Sequence, residues 1–494
     1  MTTPSRPVVK LDNTFARELP ELGVEYQPAA VPAPELVALN LDLAAELAID
    51  PKDLESTEGV AILAGNATPP GATPIAMAYA GHQFGGFSPQ LGDGRALLLG
   101  ELSVAGELRD VHLKGSGRTP FARGGDGKAA LGSMLREFLM AEAMHALDVS
   151  TARALAVVTT GERIRREGLE PGAVLTRVAA SHIRVGTFEY AARLEDRSVL
   201  QRLADHAIDR HYPAVAETAE DRYLSFFEAV ANAQAALIAD WMRVGFIHGV
   251  MNTDNVTISG ETIDYGPCAF MDRYDPATVY SSIDHAGRYA YSNQPAIARW
   301  NLARLAETLL PLIDPDPDMA TAAATAVLAA FPNRYQQYWL NGMRTKLGLV
   351  EANALDEALI DDLLALLQSQ RVDYTTVFRA LATTLRGGDE ALSSLFEIPT
   401  AIDEWTASWK SRLETEGRDA DLVAKEMDGT NPIYIPRNHT VDDALAAATA
   451  GEIAPFHALL EAVTNPFDER SDLERFAGPA ADSFDQTFQT FCGT

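Results

Sequence analysis

Cysteine is nearly missing: the 494-residue chain has two, Cys268 and Cys492. That excludes a disulfide scaffold and a thiolate zinc site, and it suits a reducing cytoplasm. Basic residues are also in short supply. Lys and Arg number 40 against 69 Asp and Glu, for a net charge of −29. A field of that sign repels phosphate backbones and anionic lipid, so neither a nucleic-acid nor a membrane partner is expected. Long apolar runs are lacking too. The most apolar stretch, Met319 to Phe331, is shorter than the ~20 residues a membrane helix needs and reads as a packing helix. Met1 to Pro7 has no apolar segment behind its charge, so no signal peptide is expected. No coiled-coil heptads occur, and a monomer is expected. The common nucleotide fingerprints fail. At Gly127-Lys128 a Walker loop would need Gly at Ala122 and Ser or Thr at Ala129. Gly92-Asp93-Gly94 and Gly115-Ser116-Gly117 lack the third glycine of a dinucleotide loop.

What remains is globular: 47% hydrophobic and 22% charged residues. Residues 1–70 are Pro-rich, with one helical pattern at Pro34 to Leu47, and read as an extension packed on a larger body. From Ala76 to Gly127 glycine is dense. Two strand patterns there, Ala96 to Leu102 and Leu108 to Lys114, flank the turn Ala105-Gly106-Glu107 and predict a β-hairpin. Apolar residues at helical spacing predict a helix over Ala129 to Leu147, and Ala152 to Thr159 and Ala173 to Ala179 read as strands. After Arg193 the pattern turns helical, beginning with a long helix over Arg222 to Val244. A polar loop follows at His248, then two short strand patterns, Val256 to Ser259 and Glu261 to Asp264. The acidic tail begins near Asp442. The expected fold is α+β in two lobes with a cleft between them: 71–192 as a β-rich lobe, 193–441 as an α-rich lobe, and 442–494 as the tail.

The informative segment is His248 to Asn255 followed by Asp264-Tyr265-Gly266. Kinases carry H-R-D-x-x-x-x-N on the catalytic loop and D-F-G on the next strand. The spacing matches at His248, Asn255 and Asp264. One amide and one carboxylate so placed hold Mg²⁺ against a polyphosphate. Val250, however, stands where a kinase has its catalytic Asp, and valine cannot accept a proton. Asp254 lies beside Asn255 instead. Upstream, Lys114 ends a strand and Glu137 sits on the next helix, as in the ion pair by which kinases position phosphates. Around them lie Gly92-Asp93-Gly94-Arg95, Gly115-Ser116-Gly117 and Gly124 to Gly127, with Arg118, Arg123, Arg163, Arg165, Arg166, Arg177 and Arg184 nearby. Backbone N–H groups and guanidinium groups so gathered suit a polyphosphate. Each feature alone is commonplace, and His248 reads as structural. Their joint occurrence in kinase order is the signal.

At these residues the sequence resembles the selenoprotein O family, protein nucleotidyltransferases with a pseudokinase fold. The matching segments include Tyr79 to Gly85, Gln90 to Arg95, His112 to Pro120, Arg136-Glu137, Thr187 to Tyr190, His248 to Asn255, Asp264 to Pro267 and Pro436-Arg437-Asn438. The resemblance implies a protein-kinase-like fold and transfer of AMP from ATP to Ser, Thr or Tyr hydroxyls of proteins. ATP would lie inverted relative to kinases and pyrophosphate would leave. The resemblance chiefly implies AMP, and UMP transfer from UTP with Mn²⁺ is also implied by the family. By position it implies that Lys114, Arg177 and Arg184 hold the outer phosphates and that Glu137 orients Lys114. Gly92, Gly94, Arg95, Asp126 and Gly127 would line the nucleotide site. Asp254 would be the general base, and Asn255 and Asp264 would bind Mg²⁺ or Mn²⁺, with Asp264 also meeting the nucleotide. Selenocysteine near the C-terminus of eukaryotic members suggests pairing of Cys268 with Cys492 as a redox gate. The competing readings are a true phosphotransferase and an inactive ATP-binding scaffold.

Overall fold

The computed structural model describes residues 8–166, 168–218 and 221–491. Its strands are β1 (Gly23–Glu25), β2 (Glu35–Leu39), β3 (Ile75–Met77), β4 (Gly81–Gln83), β5 (Gly86–Ser88), β6 (Ala96–Val104), β7 (Glu107–Lys114), β8 (Ala129–Ala130), β9 (Arg153–Arg165), β10 (Leu169–Ala179), β11 (Phe246–Ile247) and β12 (Ala269–Phe270). Seven of them form one sheet in the order β1-β3-β6-β7-β10-β9-β2, with β8 added beside β10. Every pairing in it is antiparallel.

The β6–β7 hairpin forms as the alternation predicts. Its two loop residues, Ala105 and Gly106, both have positive φ, at 51° and 90°, the backbone twist a two-residue hairpin favours. The N-terminal segment does more than pack on the body, because β1 and β2 are the two edges of the sheet. Here the helical reading of Pro34 to Leu47 is corrected. Glu35–Leu39 pairs with β9, and only Leu41–Glu46 is helical, capped by the Asn40 side chain. Its apolar run, Leu36 to Leu39, finds hydrogen-bond partners at the sheet edge that a helix start would not give it.

Strand period two divides the sheet into faces. Val111, Leu113, Val174 and Val178 pack against Leu43, Leu47, Leu54 and Leu63 from the N-terminal helices. Leu98 and Leu175 face the other way, toward the helix Leu131–Ala146 and the helical lobe. At the centre of that lobe is the helix Arg222–Val244, packed on Gln294–Ile313 and Pro317–Lys346. Gly245, at φ +74°, ends it in a left-handed cap. Met319 to Phe331 lies in the Pro317–Lys346 helix. It is amphipathic rather than buried throughout: Met319 is exposed, while Ala320, Ala324, Val327 and Phe331 face inward. Among the described residues no helix is long and apolar enough to cross a membrane.

The chain beyond residue 430 returns to the body. Helices Asn438–Thr449 and Ala454–Thr464 pack against Leu131–Ala146. Arg437, wholly buried, bonds Asp272 and Asp373 at 2.6 Å each, and Asn438 Nδ2 donates to Phe270 O at 3.0 Å. A buried charge pair of this kind is costly to break from one side, so Arg437 and Asn438 hold the C-terminal helices to the β12 end of the loop region. Residue 442 lies inside the helix Asn438–Thr449.

Candidate active site

The site lies where the inner face of the sheet meets the loops after β11. His112 of β7 sits opposite Arg177 of β10, and Lys114 opposite Leu175. Directly opposed residues share a face, so His112, Lys114 and Arg177 all point at the helix Leu131–Ala146. That helix contributes Glu137. Lys114 Nζ donates to Glu137 Oε2 at 2.6 Å, and Arg177 Nη1 to Glu137 Oε1 at 3.1 Å. Both also reach Asp264 Oδ1, at 2.9 and 2.6 Å. Arg184, the residue before the helix Val185–Ala191, donates from Nη1 to Asp264 Oδ2 and to the Asp254 carbonyl oxygen. Its guanidinium lies over the Tyr79 ring, 4.8 Å from the centroid. Asp93 completes the group, 3.1 Å from His112 Nε2 and 4.0 Å from Arg184 Nη2.

Asp264 adopts φ +59°, with Gly266 N donating to its carbonyl at 2.7 Å. A non-glycine residue in that region is held there by its surroundings, and the tight turn aims the carboxylate at the three cations. Burial opposes its charge, but Arg184, Lys114 and Arg177 outweigh burial and hold the carboxyl well below the ordinary range. Burial likewise opposes ionisation of Asp93, where His112 and Arg184 win. Burial pushes the His112 imidazole below its ordinary range, against the pull of Asp93. Three cations therefore face three carboxylates, and the group is electrically balanced before any ligand arrives.

The two short strands predicted over Val256 to Asp264 are a correction. That segment forms only the isolated bridges Arg184↔Thr257 and Thr151↔Thr262, and the paired strands are β11 and β12 on either side. Residues 256–264 spend their backbone groups on several neighbours rather than on each other. His248 is buried and neutral through burial, and its Nε2 lies 3.0 Å from Ile263 O. It fastens the loop to the segment leading into Asp264. Asn255 Nδ2 donates to Val250 O at 2.8 Å, so the amide oxygen of Asn255 is the end that could meet a metal. The valine in the kinase-base position thus contributes its carbonyl. Asp254 is buried, and burial pushes its carboxyl up to about 6 against the pull of Arg184. Its Oδ2 accepts from Gln83 Nε2 at 3.2 Å, while Oδ1 has no hydrogen-bond partner among the described residues.

The protein adenylyltransferase SelO family matches residues 9–464 of the chain. The chain belongs to that family. Protein nucleotidyltransferase YdiU of Cereibacter sphaeroides is 59% identical over 487 residues, covering 98% of this chain and 99% of the relative. The Rhodococcus jostii protein of the same name is 58% identical over 493 residues, covering 99% and 95%. That of Mycolicibacterium smegmatis is 56% identical over 501 residues, covering both chains completely.

In this family member the structure gathers Lys114, Glu137, Arg177, Arg184 and Asp264 into one cluster, with Asp254 and Asn255 on the adjoining loop. The other expected residues lie along the loop beside β6. Gly92 has φ +97°, and a Cβ there would fall 2.5 Å from the Phe121 ring. At Gly127, φ is +70° and a Cβ would fall 2.2 Å from Gly117 C. Both glycines permit close packing of the loop 115–127. Arg95 is half-buried, and its carbonyl accepts from Gly115 N. Asp126 is exposed and takes Arg166 at 2.9 and 3.0 Å. Of the seven arginines read as a cluster, only Arg177 and Arg184 enter the polar centre. Arg118, Arg123, Arg163 and Arg165 are exposed.

Sequence reasoning gave no role to His112, Asp93, Tyr79 or Gln83, although all four fall within the matched segments. Cys268 is buried and free, its thiol pushed up to about 11 by burial. Its expected partner Cys492 lies outside the described residues.

The donor set fits a divalent ion of the Mg²⁺ kind. One carboxylate and one amide oxygen are too few for a closed cage, and among the described residues no group of three or more His, Cys, Asp or Glu is placed to hold a metal. Mg²⁺ characteristically takes one or two protein ligands and completes its shell with phosphate and water. The charge balance points the same way. Because the three cations of the cluster are already matched, a bound cation would add counter-charge for a triphosphate there.

Proposed function

We propose that this protein transfers AMP from ATP to serine, threonine or tyrosine hydroxyls of proteins and releases pyrophosphate. The observation that carries the reading is the pairing of a buried three-cation cluster with Asp254, a carboxylate with one unpartnered oxygen, on a loop whose kinase-type base position is Val250.

In this reading Lys114, Arg177 and Arg184 take the outer phosphates, and Glu137 keeps Lys114 in place. Gly92, Gly94, Arg95, Asp126 and Gly127 form the wall along the nucleotide. ATP lies inverted relative to a kinase, so the α-phosphorus faces Asp254. The acceptor hydroxyl loses its proton to Asp254, its oxygen bonds to the α-phosphorus, and the bond to the β-phosphate oxygen breaks. Such displacement depends on alignment and charge neutralisation more than on covalent help. Asn255 and Asp264 would hold Mg²⁺ or Mn²⁺, which supplies the missing positive charge on the phosphates. UTP suits the same phosphate contacts, with UMP transferred instead. The architecture we assign is kinase-like: residues 71–192 as the phosphate-binding lobe, 193–441 as the lobe bearing the loop and metal ligands, 1–70 and 442–494 as extensions. We assign it to the cytoplasm as a monomer.

Two labels test this. With Mg²⁺, [α-³²P]ATP should label the protein itself or an acceptor, [γ-³²P]ATP should not, and intact mass should rise by one AMP. Label from the γ position and a gain of one phosphate would identify a phosphotransferase. ATP binding with no transfer to any acceptor would identify a scaffold.

A further inference from the structure

The hairpin β4–β5 lies over the catalytic loop. Its turn, Phe84-Gly85, has positive φ at both residues, and Gln83 pairs with Gly86. Three consecutive hairpin residues meet three consecutive loop residues. His82 N donates to Thr253 Oγ1 at 2.7 Å, Gln83 Nε2 to Asp254 Oδ2 at 3.2 Å, and Phe84 N to Asn252 Oδ1 at 3.0 Å. Glu189 joins the two layers: it lies 2.5 Å from His82 Nδ1 and accepts from Thr253 Oγ1 at 2.5 Å. Ring contacts hold the hairpin from outside, with Phe84 tilted against Tyr289 at 5.0 Å and His82 edge-to-face with Trp300 at 5.3 Å.

We infer that Gln83 is a positioning residue for Asp254. A carboxylate on a short side chain can rotate, and a proton acceptor contributes only when one lone pair points at the hydroxyl. The Gln83 amide, mounted on a rigid hairpin, engages Oδ2 and so fixes which oxygen is left. That oxygen, Oδ1, is buried without a partner. It lies under Gly81, where any Cβ would fall 2.9 Å from it. Any side chain at 81 would crowd Oδ1, so glycine there leaves this carboxylate its place, while Gln83, two residues on, holds the opposite oxygen.

The inference rests on Asp254 being the base, and the experiment separates the two. Single-turnover self-labelling with [α-³²P]ATP and Mg²⁺ is measured on full-length wild type, Gln83→Leu, Gln83→Ala, Asp254→Asn and Gln83→Leu/Asp254→Asn. Gln83→Leu keeps the side-chain bulk and removes the donor, and Gln83→Ala serves where the leucine variant does not fold. We expect the rate at saturating ATP to fall about tenfold to a hundredfold in the Gln83 variants. Half-saturating ATP and melting temperature should stay unchanged, and the double variant should be no slower than Asp254→Asn. A wild-type rate for Gln83→Leu beside a strong loss in Asp254→Asn overturns the positioning role and leaves the base intact. Multiplying losses in the double variant also overturn it, since Gln83 would then act elsewhere. A wild-type rate for Asp254→Asn overturns the base assignment and this inference with it.

Discussion

Replacing Glu137 with glutamine separates nucleotide binding from nucleotide positioning. Glu137 is 3% exposed and is the shared partner of Lys114 and Arg177. In Glu137→Gln the amide oxygen still accepts from Lys114, but the new NH₂ faces Arg177 and the negative charge is gone. The cluster moves from balanced to one net positive charge, so ATP affinity should hold or rise. The ammonium, however, is left with Asp264 as its only charged partner in the cluster, and Asp264 is the residue a metal would claim. A catalytic group displaced by about 1 Å costs on the order of 10²-fold in rate, or about 2.7 kcal/mol of transition-state stabilisation. Stability should fall as well. Removing one partner of a buried pair costs about 3–5 kcal/mol when nothing replaces it, and the retained amide contact keeps the loss to the low end or below. The assay is single-turnover [α-³²P]ATP transfer against ATP concentration, beside calorimetric ATP binding and thermal unfolding. A large loss of ATP affinity with an unchanged rate at saturation would refute the positioning argument.

Asp254→Asn should lower transfer by about 10²- to 10⁴-fold, the range of a general base, with ATP binding retained; normal labelling contradicts it. Gly127→Ala should lower stability by about 1–3 kcal/mol, because it strains a left-handed residue and drives a Cβ into the Gly117–Arg118 peptide; an unchanged melting temperature contradicts it. Lys346→Met should raise the melting temperature. Lys346 is 2% exposed against the Phe378 and Tyr374 rings, and burial depresses its pKa well below the usual lysine value. A lysine so depressed binds fewer protons folded than unfolded, so its penalty is present at neutral pH and fades as pH rises toward the unfolded value. The gain from methionine should therefore be larger at pH ~7 than at pH ~10, shrinking across that interval as the unfolded lysine loses its own proton; a gain independent of pH contradicts it.

Local pattern made much of the fold legible. Alternation around Ala105-Gly106 marked the β6–β7 hairpin, and apolar spacing marked the helices Leu131–Ala146 and Arg222–Val244. Long-range pairing left less trace. The two sheet edges come from residues 23–25 and 35–39, and the four-residue apolar run Leu36 to Leu39 before a capped helix looks helical until β9 is there to pair with it. Residues 256–264 show strand-like alternation because they are buried between layers, though they form single bridges only. The charged centre was legible because Lys114, Glu137 and Asp264 stand at recognisable distances in sequence. Gln83 and His112 carry no such spacing. Their roles arise from a hairpin laid over a loop about 170 residues away and from a register across two strands. Asp126 and Arg166 illustrate the converse, since a basic cluster in sequence includes residues satisfied by their own surface pair.

The central claim is the direction in which ATP lies. A crystal structure with a non-hydrolysable ATP analogue and Mg²⁺ tests it most directly. The account predicts the β- and γ-phosphates against Lys114, Arg177 and Arg184, the ion between Asn255 and Asp264, and the α-phosphorus nearest Asp254. A γ-phosphate beside Asp254, with the adenine buried between the lobes as in a kinase, would contradict it.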